Sequence, residues 1–208
     1  MGQKRRKIMS RDFLQAMKER RTYYSIGGGS PIADEEIRDI VGQAVLHTPS
    51  AFNSQSGRAV VLFGEAHKKL WSITMETLRA RVPAEKFAPT EEKINSFAAG
   101  HGTVLYFNDN SVTEGLMAQF PTYSGNFPVW ASQSAGMLQF AVWTMLEQAG
   151  LGASLQHYNP LIDDQVKAQW NIADSWQLIA EMPFGEPTGM PGEKQFQPLE
   201  TRLLSFEK

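Results

Sequence analysis

Apolar positions along the chain change period several times, and each change marks an element. Ile37, Ile40, Val41, Ala44 and Val45 recur at i, i+3, i+4 and i+7, which predicts an amphipathic helix over residues 34–47. A mostly apolar run at 58–63, Arg58-Ala59-Val60-Val61-Leu62-Phe63, predicts a largely buried strand. Helical spacing returns over 65–81, with Leu70, Ile73, Thr74 and Leu78 inward. A polar helical excursion at 83–100 leads to a strand at 103–107, stopped by Asn108-Asn110 and the aspartate between them. The segment 120–128 is rich in aromatic and turn residues. Residues 129–149 then form a helix apolar nearly all round, in which only Glu147 is charged. Such a helix is buried on most sides, either centrally or at a subunit interface.

Around these elements the pattern is shorter in range. Ser10 is a candidate N-cap for a helix to about Arg21, with Phe13, Leu14 and Met17 on one face. Gly27-Gly28-Gly29-Ser30-Pro31 reads as a flexible link. Residues 153–158 read as extended, 163–170 as a short helix opened by Asp163-Asp164, and 176–185 as a strand with a Pro/Gly stop. The tail 199–206 is apolar enough to dock as a strand. The imperfect alternation predicts an α+β sandwich with a mostly antiparallel or mixed sheet. One domain over 11–208, behind a tail at 1–10, accounts for the whole length.

Composition narrows the function more than the fold. Hydrophobic residues are 42% and charged residues 20% of the 208, as in a soluble globular protein. A net charge of -2 gives no general attraction to nucleic acid or anionic membrane. The basic run Lys4-Arg5-Arg6-Lys7 is short and reads as a solvated tail. The absence of cysteine excludes disulfides, thiolate metal sites and Cys nucleophiles. No apolar run is long enough to span a bilayer, and no signal-peptide core opens the chain, so a cytoplasmic protein is expected. The four histidines are scattered, which argues against a metal site. The triple glycine follows a helix rather than a strand, and no Gly-Lys-Ser/Thr follows it, so it is no phosphate loop. No G-x-S-x-G elbow is present.

Two polar stretches remain. In Pro49-Ser50-Ala51-Phe52-Asn53-Ser54-Gln55-Ser56, five of eight side chains are hydroxyls or amides, and none is charged. Such groups both donate and accept, which suits a planar heterocycle, although the same residues also make ordinary turns. In Arg20-Arg21-Thr22-Tyr23-Tyr24, two guanidinium groups stand at a helix end. They favour the helix dipole without any ligand, and their forks also fit phosphate oxygens.

Together with Gly150-Leu151-Gly152-Ala153-Ser154-Leu155-Gln156-His157, these stretches resemble the nitroreductase family of FMN enzymes, in its order and separations. Phe184-Gly185-Glu186-Pro187, Lys194 and Pro198-Leu199-Glu200 also fit. The wording R-R-T-Y-Y and A-S-L-Q-H-Y is most similar to the branch of the yeast fatty-acid-repression-mutant protein. The resemblance implies an α/β/α sandwich, an obligate homodimer with FMN at the subunit interface, and a C-terminal tail docked on the partner. It also implies reduction by NAD(P)H and two-electron delivery to nitroaromatics, quinones or similar acceptors. A non-enzymatic flavin-binding or regulatory protein on the same fold is the alternative.

Carried over by position, the resemblance assigns Arg20, Arg21, Thr22 and Lys194 to the phosphate and ribityl end, with Tyr24 beside them. Pro49, Ser50, Ala51 and Asn53 would reach the flavin from the partner subunit, with Gln55 supporting that loop or touching the cofactor. Ala153, Ser154, Leu155 and Gln156 would lie along the isoalloxazine. No residue is assigned a covalent role, because a flavin carries the hydride chemistry itself. Phe120, Tyr123, Phe127 and Trp130 form either a shelf for a flat acceptor or plain core. The chain departs from the family where Tyr24 and Phe196 stand in place of cations; Arg21 and Arg58 are the candidate replacements.

Overall fold

A computed structural model describes residues 12–207. Five strands form one sheet in the order β1-β5-β3-β2, with β4 also pairing β5. They are β1 (Ile26–Gly27), β2 (Gly57–Phe63), β3 (Gly102–Asp109), β4 (Gly152–Ala153) and β5 (Trp176–Pro187). Every strand pair is antiparallel. The helices are α1 (Phe13–Glu19), α2 (Asp34–His47), α3 (Gly64–Arg79), α4 (Ala88–Ala98), α5 (Asn110–Gln119), α6 (Phe127–Gln148) and α7 (Asp163–Trp170).

Alternation along the central strands decides the layers. Val104 and Tyr106 of β3 and Ala180, Met182 and Phe184 of β5 face α2 and α6, where Ile37, Val41, Leu138, Val142 and Leu146 complete one core. Leu105, Phe107 and Leu178 point the other way, onto Leu70, Trp71, Ile94, Phe97 and Val166 of α3, α4 and α7. The result is the α/β/α sandwich. A polar chain runs inside the second core. Thr103 Oγ1 lies 2.8 Å from His67 Nδ1 and accepts from Trp71 Nε1 at 3.1 Å. His67 Nε2 lies 3.2 Å from the Ala98 carbonyl, a pure acceptor, so Nε2 carries the proton and Nδ1 accepts from the threonine. The neutral ring is therefore the satisfied one.

Several expectations are corrected. The first helix ends at Glu19 rather than near Arg21, and Phe13, Leu14 and Met17 are exposed while Ala16 is buried. Ser10 and the basic run lie outside the described residues. The triple glycine is not a free link, since Ile26 and Gly27 pair with Pro187 and Glu186 of β5. A side chain at Gly185 would lie 2.1 Å from the Gly27 carbonyl, so this close approach requires glycine. The strand expected to stop at 108 runs to Asp109, whose carboxylate accepts from the Ser111 N–H and caps α5. Helix α5 has no strong apolar stripe, which is why the sequence did not announce it. The tail forms a 3-10 turn at Leu199–Thr201 and no strand; Leu203, Leu204 and Phe206 are exposed.

Burial pushes the His67 pKa down to about 4. The unfolded chain, with an ordinary histidine near 6.5, then binds the proton first, so stability is full above that pH and falls as pH drops toward 4. Between pH 7.5 and 4.5 this linkage amounts to roughly 2–3 kcal/mol. Urea unfolding of wild type and His67→Gln at both pH values should show their stability gap narrowing by that amount at the lower pH.

Candidate functional site

Two groups of the sequence-assigned residues come together, at opposite ends of α6. At the C-terminal end, the backbone after α1 runs beside the strand that follows α6. Thr22 bridges Ala153 in parallel, and Tyr23 N donates to the Ala153 carbonyl at 2.9 Å. R-R-T-Y-Y and A-S-L-Q are thereby one ladder. Gly152 makes this possible, because a side chain there would lie 2.8 Å from the Tyr23 ring.

On this ladder each side chain has a definite station. The Arg20 guanidinium lies over the Trp143 ring, 4.3 Å from its centroid. Burial lowers its pKa, and the nearby Glu147 carboxylate opposes that shift. Arg20 Nε is buried without a partner. Arg21 Nη2 donates to the Gly192 carbonyl at 2.6 Å and so holds the segment that carries Lys194. Lys194 is exposed, its Nζ 5.0 Å from the Phe196 ring. Tyr24 is half exposed and touches Phe97 of α4 at 6.3 Å between centroids. Ser154 and Gln156 are buried and satisfy one another, Gln156 Nε2 donating to Ser154 Oγ at 3.1 Å. Leu155, between them, is the partly open side chain. A cavity of about 450 Å³ lies alongside, lined in part by Lys18, Arg21, Tyr23, Glu147 and Pro187.

The second group gathers at the start of α6. Ser50 Oγ accepts from the Gln55 N–H at 2.9 Å, Asn53 N donates to the Ser50 carbonyl at 3.0 Å, and the Gln55 amide reaches the Asn53 carbonyl at 3.5 Å. Pro49, Ser50 and Gln55 line a smaller cavity with Arg58 and Leu138, and Ala51 opens the 3-10 turn beside them. Phe52, Asn53 and Gln55 all have φ between 49° and 57°, a left-handed conformation that costs a phenylalanine most. Phe52 is held there by rings: its centroid lies 5.0 Å from Phe120, 6.0 Å from Tyr123, 5.3 Å from Phe127 and 5.9 Å from Trp130. The four aromatic residues assigned to an acceptor shelf are thus one cluster, and the loop supplies its hub.

Trp130 and Trp143 stand on the same helix, roughly 20 Å apart at about 1.5 Å per residue, and the two groups line separate cavities. Arg58 sits with the loop, bonded to Asp109 at 2.9 Å and to the Gln55 carbonyl, far from Arg20. Within one chain it therefore does not join Arg20 and Arg21. Trp143 and Phe97 were missed by sequence reasoning, which had no signal for them. Glu147 had one: a single charge on an apolar helix requires a partner when it is buried.

The nitroreductase family profile matches residues 17–186. The chain belongs to the nitroreductase family. The HBN1 protein of Saccharomyces cerevisiae is 38% identical over 88% of this chain and 92% of its own length. The nitroreductase FRM2 of the same yeast is 34% identical over 89% and 93%. Among solved structures, nitroreductase CinD from Lactococcus lactis in complex with chloramphenicol superposes with a TM-score of 0.85 at 40% identity, over 94% of this chain and all of that one. A nitroreductase from Desulfovibrio desulfuricans in complex with FMN shares the fold at 18% identity and a TM-score of 0.67, over 95% of this chain and 98% of its own.

Each ring contact of Phe52 is worth about 0.5–1.5 kcal/mol. Phe52→Ala should loosen residues 50–56 by roughly 1–3 kcal/mol, seen as faster amide exchange confined to that loop, with little change in the global melting temperature.

Proposed function

We propose that the protein is an FMN-dependent oxidoreductase that takes hydride from NAD(P)H and reduces nitroaromatic, quinone or similar acceptors, the two substrates binding in turn over one flavin face. The observation that carries this reading is the ladder joining Arg20-Arg21-Thr22 to Ala153–Gln156. It sets cations, a hydroxyl and an extended backbone along one continuous surface. The residues fit the group: Arg20 Nε is a buried donor without a partner, as an anion-binding arginine should be before its anion arrives. Arg21 holds the segment leading to Lys194 through the Gly192 contact. Bound FMN supplies the two-electron chemistry. The chain's own residues bind its phosphate through Arg20, Arg21, Thr22 and Lys194, and support its ring along Ala153–Gln156 beside Tyr24. CinD, which is 40% identical, has been seen with 4-nitrophenol, and such a flat nitroaromatic is the kind of acceptor we assign here.

The working unit we assign is a homodimer. The Pro49–Gln55 loop and its aromatic cluster cannot reach the ladder of their own chain, so they serve the partner's. A face for that partner is present: Phe13, Leu14 and Met17 of α1 and Met137 and Phe140 of α6 are exposed, with Phe13 edge-on to Phe140 at 6.5 Å. Monomeric proteins rarely leave such a patch open. The outer edge of β2 has no strand beside it among the described residues, and the exposed apolar tail is suited to dock on the partner there.

The purified protein should be yellow, and NAD(P)H should bleach it; a colourless protein that neither binds added FMN nor consumes NAD(P)H overturns the reading. Bleaching by NAD(P)H without turnover of any nitroaromatic or quinone would instead favour a flavin-binding regulator. Phe140→Asp should shift the mass in solution from dimer toward monomer and release flavin with it. Lys194→Ala, exposed and free of core contacts, should weaken FMN retention by roughly tenfold or more, since a charge-assisted bond contributes about 1.5–3 kcal/mol. Arg20→Ala should do the same at an added cost to stability, because it removes the guanidinium from the face of Trp143.

A further inference from the structure

Arg58 and Asp109 form an ion pair beside the Pro49–Gln55 loop, and neither has a part in the function described above. Arg58 directs its fork into its own chain. Nη1 donates to the Gln55 and Gly57 carbonyls at 2.5 and 3.1 Å, and Nη2 to Asp109 Oδ2 at 2.9 Å. The other oxygen, Asp109 Oδ1, accepts from the Ser111 N–H and hydroxyl at 3.2 and 2.6 Å and caps α5. The Asp109 side chain is 10% exposed and that of Arg58 28%, so salt screens this pair less than a surface pair. Burial of Asp109 opposes its charge, but bonds from Ser111 and Ser175 and the Arg58 charge outweigh it, and the pKa lies below the ordinary carboxylate value.

These contacts close a circuit around the loop. Gln55 is held in its left-handed conformation at φ 50°, its N–H on Ser50 Oγ and its carbonyl on Arg58. Both backbone groups are fixed while the side chain is exposed. Phe120, at the far end of α5, packs on Phe52 of the same loop at 5.0 Å between ring centroids. The loop is thus tied to α5 twice, through Asp109 at its start and Phe120 at its end. A strained residue held from both sides, with its side chain free, is set for a contact outside its own loop. We propose that the Arg58–Asp109 pair is a positioning element acting in trans, which sets Gln55 and its loop against the flavin held on the partner's ladder. This inference rests on the dimeric flavin reading above. Arg58 touches no cofactor in this role; it acts through the Gln55 carbonyl. A point charge could not hold that carbonyl and the carboxylate with the same fork.

The test is subunit complementation, read by FMN titration of flavin-stripped dimers with flavin fluorescence. Arg58→Met keeps the aliphatic stem and removes the fork, and Arg20→Met does the same at the ladder. Each homodimer should bind FMN roughly tenfold more weakly than wild type. Co-expression with two different tags isolates the mixed dimer, one chain carrying each substitution. One of its sites then joins an intact ladder to an intact loop, and the other carries both lesions. Titration should show half the wild-type number of sites at wild-type affinity. A mixed dimer with no such site overturns the proposal, because Arg58 then acts on its own chain's ladder or on the fold as a whole. An Arg58→Met homodimer with wild-type FMN affinity also overturns it. If Arg58→Met fails to fold, Asp109→Asn takes its place in the mixed dimer, since asparagine still caps α5 and lacks only the charge. Failure of wild type to bind FMN, or binding of FMN by a monomer, would instead refute the dimeric flavin reading.

Discussion

Helix α6 has two apolar sides, and the rest of the molecule is arranged around that. One side carries Leu138, Val142 and Leu146 into the core against β3 and β5. Met137 and Phe140, on another side, remain open together with Phe13 from α1. A single sheet cannot cover a helix from both directions. The same helix sets its ends apart: the Arg20–Trp143 contact lies at one and the Phe52 ring cluster at the other. The dimer proposed above draws on this open side and on the separation of the two ends.

Much of this was legible from periodicity. The 34–47 helix is found at those bounds, the two long strands are in place, and the long apolar helix begins two residues earlier than read. Misreadings occur where structure depends on distant contacts. The triple glycine becomes partly a strand because β5 offers an edge at Glu186 and Pro187, and nothing local announces it. Helix α5 begins from a cap by Asp109, a residue that reads equally well as a strand stop. The apolar tail has the composition of a strand but pairs with no strand of its own chain among the described residues.

The site divides along the same line. That residues 20–24 and 150–157 belong together was readable only as a resemblance; their contact is made by the Thr22–Ala153 ladder. Side-chain commitments were not readable at all. Arg58, a sequence candidate for phosphate, is engaged by Asp109, whereas Arg20 is set by a tryptophan and a glutamate more than a hundred positions away. Ser154 and Gln156 turn inward and bond each other, so they leave mostly backbone and Leu155 to face outward there.

The left-handed residues at 52, 53 and 55 determine when the loop is ordered. Their conformation is held by the Phe52 rings and by Ser50 Oγ, groups that belong to the chain itself. The entropy lost in shaping the loop therefore falls on folding rather than on association. Whatever meets this surface meets it already formed, and its affinity is relieved of that term.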